Sequence, residues 1–255
     1  MDIPQSGFGT YRLKEDTISS VILSLQNGNR HIDTAPLYKN EKEVGIAIQN
    51  SGIDRRHIFV TTKISRDKLK SNSIAESITH SLYTMNLDYI DLVLLHEPID
   101  YINNWKLLNS FFLTEGKNRI RHIGVSNYNT QHLSAISDIK IPYCNQIEIN
   151  PFLHRDNIQT HCNLNNIKIV AHSPLAKGEK LQHPLLVDIS KKVNKTPAQL
   201  MLKWNQNQKH IIIPRSKNKQ HILENMTLDF DVGAEEQCVL DSLDIQYATH
   251  PKYIK

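Results

Sequence analysis

Glycine and proline are scarce, 9 and 10 among 255 residues. That excludes a collagen-like repeat and a disordered linker. No stretch approaches the roughly 18 consecutive apolar residues of a membrane helix, so no membrane partner is expected. The opening residues, Met1-Asp2-Ile3-Pro4-Gln5, lack the basic stretch and apolar core of a signal peptide. Cysteines are few, odd in number and far apart: Cys144, Cys162 and Cys238. They form neither a disulfide framework nor a zinc motif, and they suit a reducing, cytoplasmic setting. Lys and Arg total 30 against 26 Asp and Glu, but no dense basic tract accompanies the excess, so nucleic acid is not an expected partner. Among the 13 histidines, His154 and His161-Cys162 are the near cluster. They lack metal-ligand spacing and a nearby carboxylate set, so no metal is expected.

What is present is an alternation of two periods. Short β-branched runs occupy 6–10, 31–35, 58–63, 90–96, 120–127, 144–150, 167–173 and 211–216. Their average spacing is about 32 residues, the size of one βα unit. The later runs are nearly continuous in apolar residues, as in Leu92-Val93-Leu94-Leu95 and Ile211-Ile212-Ile213. Strands covered on both faces read this way. Between them lie helical patterns. Ile18, Val21, Ile22 and Leu25 share one face, with Gly28 placed to end the helix. Ser73-Ile74-Ala75-Glu76 and Thr196-Pro197-Ala198-Gln199 read as capping boxes. The expected architecture is α/β, a single (β/α)8 TIM barrel spanning 1–255. The first run is the weakest of the eight, being short with two glycines.

In such a barrel, function collects where strands end. The second run leads through Asp33 to Tyr38, the third ends at Lys63 and the fourth at His96. Each has an ordinary structural alternative: a cap for Asp33, packing for Tyr38, a solvated Lys63, a hydrogen-bonded His96. Together they fit carbonyl reduction. Hydride delivery to a carbonyl leaves an alkoxide that needs a proton. A tyrosine hydroxyl ordinarily ionises near pH 10. An adjacent lysine is expected to lower that value. An aspartate would hold the lysine, and a histidine would orient the carbonyl oxygen.

The same residues carry a resemblance. Ile32-Asp33-Thr34-Ala35-x-x-Tyr38-x-Asn40-Glu41 is similar to the signature of the aldo-keto reductases. Further similar motifs follow in the family's order: Gly7-Phe8-Gly9-Thr10-Tyr11, Phe59-Val60-Thr61-Thr62-Lys63, Asp88-Tyr89-Ile90-Asp91-Leu92 and Ile123-Gly124-Val125-Ser126-Asn127-Tyr128. Asn145-Gln146-x-Glu148, Ser173-Pro174-Leu175 and Ile213-Pro214-Arg215-Ser216 complete the series. The resemblance implies an NADPH-dependent, metal-free, small reductase acting as a monomer on an aldehyde or ketone. It implies Tyr38 as proton donor, Lys63 and Asp33 as its tuning pair, and His96 in the substrate pocket. Ser126, Asn127 and Gln146 would hold the nicotinamide carboxamide, with His172 at the stacking position. Ser173 and Leu175 would follow the pyrophosphate, and Arg215, Ser216, His221, Glu224 and Asn225 the adenosine end. Gly9, Thr10 and Tyr11 complete the implied cofactor set.

Charge supports NADPH over NADH. A 2′-phosphate needs cations, whereas a free ribose hydroxyl is usually held by a carboxylate. The segment 215–221 contains Arg215, Lys217, Lys219 and His221 and no acid. The chain also departs from the family. His172 stands where Tyr or Trp is usual, and an imidazole there is expected to become cationic in acid and weaken cofactor binding. Glu97 follows His96, making one pocket wall more polar. The loop from Glu97 to a helix starting near 105–107 is short, an N-terminal hairpin is not visible, and little follows Asp244. An open, shallow site is expected. Tyr38-x-x-x-Lys42 matches short-chain dehydrogenase spacing, but Gly7, Gly9 and Gly28 do not form the glycine-rich turn such a fold needs first. The alternative on the same barrel is an NADPH-binding sensor or interaction protein with little turnover.

Overall fold

The computed structural model describes residues 1–253. Eight parallel strands follow one another in chain order around a single sheet. They are β1 Phe8–Gly9, β2 His31–Asp33, β3 Phe59–Ile64, β4 Ile90–Leu95, β5 Ile120–Ser126, β6 Cys144–Glu148, β7 Lys168–His172 and β8 Ile211–Ile212. The helices are α1 Thr17–Gln26, α2 Glu41–Asn50, α3 Arg66–Lys70, α4 Ile74–Met85, α5 Tyr101–Leu113, α6 Thr130–Ser137, α7 Asp156–Leu164, α8 Pro184–Val193, α9 Pro197–Asn207, α10 Lys219–Met226 and α11 Ala234–Asp241. The sheet closes where Ser6 bridges Ile212 and where Gly9 N donates to the Pro214 carbonyl at 3.0 Å. This is the expected (β/α)8 barrel.

The seam explains why β1 is faint in the sequence. A Cβ on Gly7 would lie 2.4 Å from His31 Nδ1, and one on Gly9 would lie 2.9 Å from the Ile213 carbonyl oxygen. Closure therefore demands glycine where a strand would otherwise advertise itself with branched side chains.

Residues two apart on a strand share a face. Ile32, Val60, Val93, Leu95, Val125, Ile147 and Ala171 join the helices in the main apolar core. Phe59, Leu92, Leu94, Cys144, Val170, Ile211 and Ile213 form a second cluster with Ile3. Continuing that inner series by steps of two leads from Phe59 to Lys63, from Leu94 to His96, from Cys144 to Gln146 and from Val170 to His172. One alternation thus packs the lumen below and presents polar groups at the C-terminal rim.

Two local expectations need correction and two hold. The Thr196 box forms, with Gln199 N donating to Thr196 Oγ1 at 3.2 Å and Thr196 N to Gln199 Oε1 at 3.0 Å. The Ser73 box does not: Glu76 takes Lys68 Nζ at 2.7 Å, and Ser73 Oγ meets Ser71 Oγ at 3.0 Å. The helix after β4 begins at Tyr101, not near 105–107. Gly28 lies just past α1 at φ +102°, a conformation that glycine adopts without a Cβ penalty.

Candidate active site

Asp33 ends β2, Lys63 is the penultimate residue of β3, and His96 follows β4. Tyr38 closes a single 3-10 turn, Pro36–Tyr38. That turn is braced from below. Asn40 Nδ2 donates to the Thr10 carbonyl at 2.8 Å. Glu41 accepts from Thr62 Oγ1 at 2.6 Å and from Ser81 Oγ at 3.3 Å. The Asn-Glu pair of the signature therefore fixes the loop that carries the tyrosine.

Lys63 and Asp33 are buried, at 1% and 2% exposure. Lys63 Nζ donates to Asp33 Oδ1 at 2.5 Å and to the Thr34 carbonyl at 3.0 Å. Asp33 Oδ2 accepts from Gln146 Nε2 at 2.7 Å. Burial alone would push the Lys63 ammonium down; Asp33 and Tyr38 more than offset it, so the lysine is held charged. Its Nζ lies 5.1 Å from the Tyr38 ring centroid. The His96 ring stands edge-on to Tyr38, centroids 6.1 Å apart, and Tyr11 flanks the other side at 5.0 Å.

The expected lowering of the Tyr38 hydroxyl is corrected. Burial raises it and outweighs the opposing pull of Lys63, and the Asp33 carboxylate adds to the rise. Tyr38 is accordingly a protonated donor in the chain alone. His96 is pushed down to about 3 by burial, then by Lys63 and Lys252. It is neutral at ordinary pH and can donate a hydrogen bond through one ring nitrogen.

Next along the rim, Ser126 Oγ donates to the Gln146 carbonyl at 2.9 Å. Asn127 Nδ2 donates to the His96 carbonyl and to Ser126 Oγ, both at 3.1 Å. That fixes the amide so that Asn127 Oδ1 faces His172 Nε2 at 2.9 Å. An amide oxygen only accepts, so His172 carries its proton on Nε2, and Nδ1 accepts from Ser173 Oγ at 3.3 Å. Asn127 and Ser173 have left-handed φ, +63° and +48°.

His172 does not behave as its sequence suggests. Burial, followed by His250, Lys63, His96 and Arg155, holds it well below the usual histidine range. The ring therefore stays neutral in mild acid, and the expected acid-induced loss of cofactor binding does not follow.

The remaining implied cofactor residues follow β1, β7 and β8. Thr10 Oγ1 and N both bond the Asp33 carbonyl, at 3.1 and 3.0 Å. Leu175 is half-buried after β7, Arg215 and His221 are exposed, Glu224 is half-buried, and Ser216 and Asn225 are buried. Asn218 caps α10 through His221 N at 3.1 Å. The 215–221 segment is less purely cationic than it reads, because Lys217 faces Asp16 from the loop before α1 at 3.7 Å. These residues suit a dinucleotide: hydroxyl and amide groups at the rim, then Arg215 and Lys219 beside a capped helix start. Glu97 is not simply a polar wall, since Arg66 at 3.6 Å and Lys252 at 3.3 Å hold it.

Sequence reading named Glu148 within a motif but gave it no role, and missed Thr249 and His250 at this rim. Thr249 and His250 bond the Glu148 carboxylate, so the expectation of an open, shallow site is corrected on that side. It also missed carboxylates beside His154: ligand atoms of His154, Asp156 and Asp244 lie within 4.8 Å of one another. No sequence spacing joins Asp244 to that group. A cleft of about 630 Å³ near Asn27, Arg30 and Met226 lies away from these groups, next to the N-terminal end of β2. Among the described residues no helix is long and apolar enough to cross a membrane.

Residues 7–236 match the model of the aldo/keto reductase family. The chain belongs to that family and is an oxidoreductase. It is 34% identical to the glyoxal reductase of Bacillus subtilis, over 96% of this chain and 90% of that one. It is 35% identical to the 9,11-endoperoxide prostaglandin H2 reductase of Trypanosoma cruzi, over 95% and 88%. A crystal structure of an aldo-keto reductase enzyme from a deep-sea metagenome library superposes with a TM-score of 0.92 at 33% identity, covering 97% of this chain and 93% of that one.

Proposed function

We propose that the chain, acting as one barrel unit and as a cytoplasmic monomer, reduces a small aldehyde or ketone to the alcohol with NADPH. The observation that carries this reading is the convergence of Tyr38, Lys63, Asp33 and His96 at one rim. When bound, the reduced nicotinamide supplies a hydride. Every other task falls to the protein. Neutral His96 donates a hydrogen bond that orients the carbonyl oxygen. Tyr38 gives its hydroxyl proton to the oxygen as negative charge develops there. Lys63, held charged by Asp33, stabilises the phenolate left behind. Ser126, Asn127 and Gln146 hold the nicotinamide carboxamide, and His172 flanks the ring. Arg215 and Lys219 favour the 2′-phosphate, with Arg215 able to grip it in bidentate fashion.

The names of the relatives support a small carbonyl substrate, one being a glyoxal reductase. The test is NADPH consumption with a panel of aldehydes, using the wild type and Tyr38→Phe. Wild type turns over, while Tyr38→Phe binds NADPH as tightly but loses about 10²- to 10⁴-fold in kcat, the range for a positioned proton donor. Cofactor binding without turnover of any carbonyl would favour a sensor. Full activity in Tyr38→Phe would remove the tyrosine from the mechanism.

A further inference from the structure

Residues 247–252 run along the rim after the last helix. Tyr247 N donates to the Phe152 carbonyl at 2.8 Å. Lys177 Nζ donates to the Thr249 carbonyl at 3.0 Å, and Lys252 Nζ to Glu97 Oε1 at 3.3 Å. The middle of the segment is held by one carboxylate. Thr249 N and Thr249 Oγ1 both donate to Glu148 Oε1, at 2.8 and 2.6 Å. His250 N donates to Glu148 Oε2 at 3.0 Å. Glu148 ends β6 two residues after Gln146 and is 3% exposed. A buried carboxylate is tolerable only when its oxygens are well satisfied, and bonds to an ionised acceptor are about twice as strong as neutral ones. This is a fixed attachment between a barrel strand and a segment about 100 residues away in sequence.

The attachment has a consequence for the site. It places the His250 ring edge-on to His172, centroids 6.1 Å apart. His172 Nε2 in turn holds Asn127 Oδ1, and Asn127 Nδ2 reaches the His96 carbonyl. The rings and amide thus form a continuous series from the segment to the residues assigned to the nicotinamide.

We propose that Glu148 is a positioning residue for the nicotinamide site: by holding Thr249 and His250 it seats His250 against His172, and so steadies the hydrogen bond from His172 Nε2 to the Asn127 amide oxygen. This deepens the NADPH reading and rests on it. The test uses the full chain with Glu148→Gln, His250→Ala and the double variant. NADPH affinity is read by fluorescence titration, and hydrogen exchange reads the Thr249 and His250 amides. Glu148→Gln is expected to speed exchange at both amides and to weaken NADPH binding about three- to tenfold, the scale of one lost ring contact. His250→Ala is expected to weaken binding by a similar factor, and the double variant by no more than either alone, because both act through one contact. NADPH binding unchanged in His250→Ala overturns the proposal, as do full additivity and unchanged amide exchange in Glu148→Gln. If Glu148→Gln fails to fold, His250→Ala decides alone. A wild-type chain that binds no NADPH overturns the functional reading itself, and this proposal with it.

Discussion

Lys63→Met tests the centre of the site by its effect on stability. In the wild type the ammonium has two acceptors, Asp33 Oδ1 at 2.5 Å and the Thr34 carbonyl at 3.0 Å. Methionine fills a similar volume but removes the charge and both bonds. Asp33, 2% exposed, then keeps the side-chain bond from Gln146 Nε2, at 2.7 Å. Breaking a buried pair by deleting one partner typically costs about 3–5 kcal/mol, because the surviving charge is stranded. Against the roughly 5–15 kcal/mol of a whole domain, that is a large loss. Adding Asp33→Asn removes the stranded charge, so the double variant should regain about 1–3 kcal/mol relative to Lys63→Met. Urea unfolding at neutral pH, followed by circular dichroism, measures both. The pair's pH window follows from the raised Lys63. Its contribution is fully present below the ordinary lysine value and is lost as pH climbs through the raised folded value. A cost under about 1 kcal/mol in Lys63→Met, the scale of an exposed pair, would refute the reasoning. So would a double variant no more stable than the single one.

Histidine burial sets the acid side of the stability curve. His31 and His210 are pushed down to about 4 and His96 to about 3, burial being the first cause in each. The unfolded chain takes up these protons near pH 6.5, so stability should fall below that pH by up to about 1.4 kcal/mol per unit for each histidine. An unchanged urea midpoint between pH 7 and pH 5 would contradict this. Arg215→Gln should raise the KM for NADPH about tenfold and leave that for NADH nearly unchanged, as expected for losing one charge-assisted phosphate contact; equal effects on both would remove Arg215 from the 2′-phosphate. Thr196→Ala should cost about 1 kcal/mol and Ser73→Ala under about 0.5 kcal/mol, since only the first residue caps its helix. Thermal melts of the two variants decide it, and equal losses would count against the distinction.

The barrel was legible because burial on both faces writes itself as continuous apolar runs. Leu92-Val93-Leu94-Leu95 is buried throughout, so β4 needed no alternation to be found. Strand ends were less legible. Runs drawn to Asn127 and Ser173 overshoot β5 and β7, because those residues turn into left-handed backbone. The catalytic candidates could be placed because each closes or follows a strand. Their electrostatics could not. Whether Lys63 lowers Tyr38 depends on how far burial and Asp33 outweigh it, and burial is a property of the closed barrel. The same holds for His172, whose neutrality comes first from burial and then from His250, Lys63, His96 and Arg155 on other elements. Glu148 was visible as part of a motif, yet its partners lie about 100 residues downstream, beyond any spacing rule.

The rim concentrates charge on rigid elements and gives each of three carboxylates a partner. Asp33 neutralises Lys63, Glu97 answers Arg66 and Lys252, and Glu148 is spent on Thr249 and His250. The histidines between them, His96 and His172, are held neutral. Tyr38 therefore sits beside a fixed positive charge, with its proton retained by burial. A donor in that state is reluctant until negative charge appears on the oxygen in front of it. On the proposed reading, the burial that opposes ionisation in the chain alone would keep the Tyr38 proton available until negative charge develops on the carbonyl oxygen.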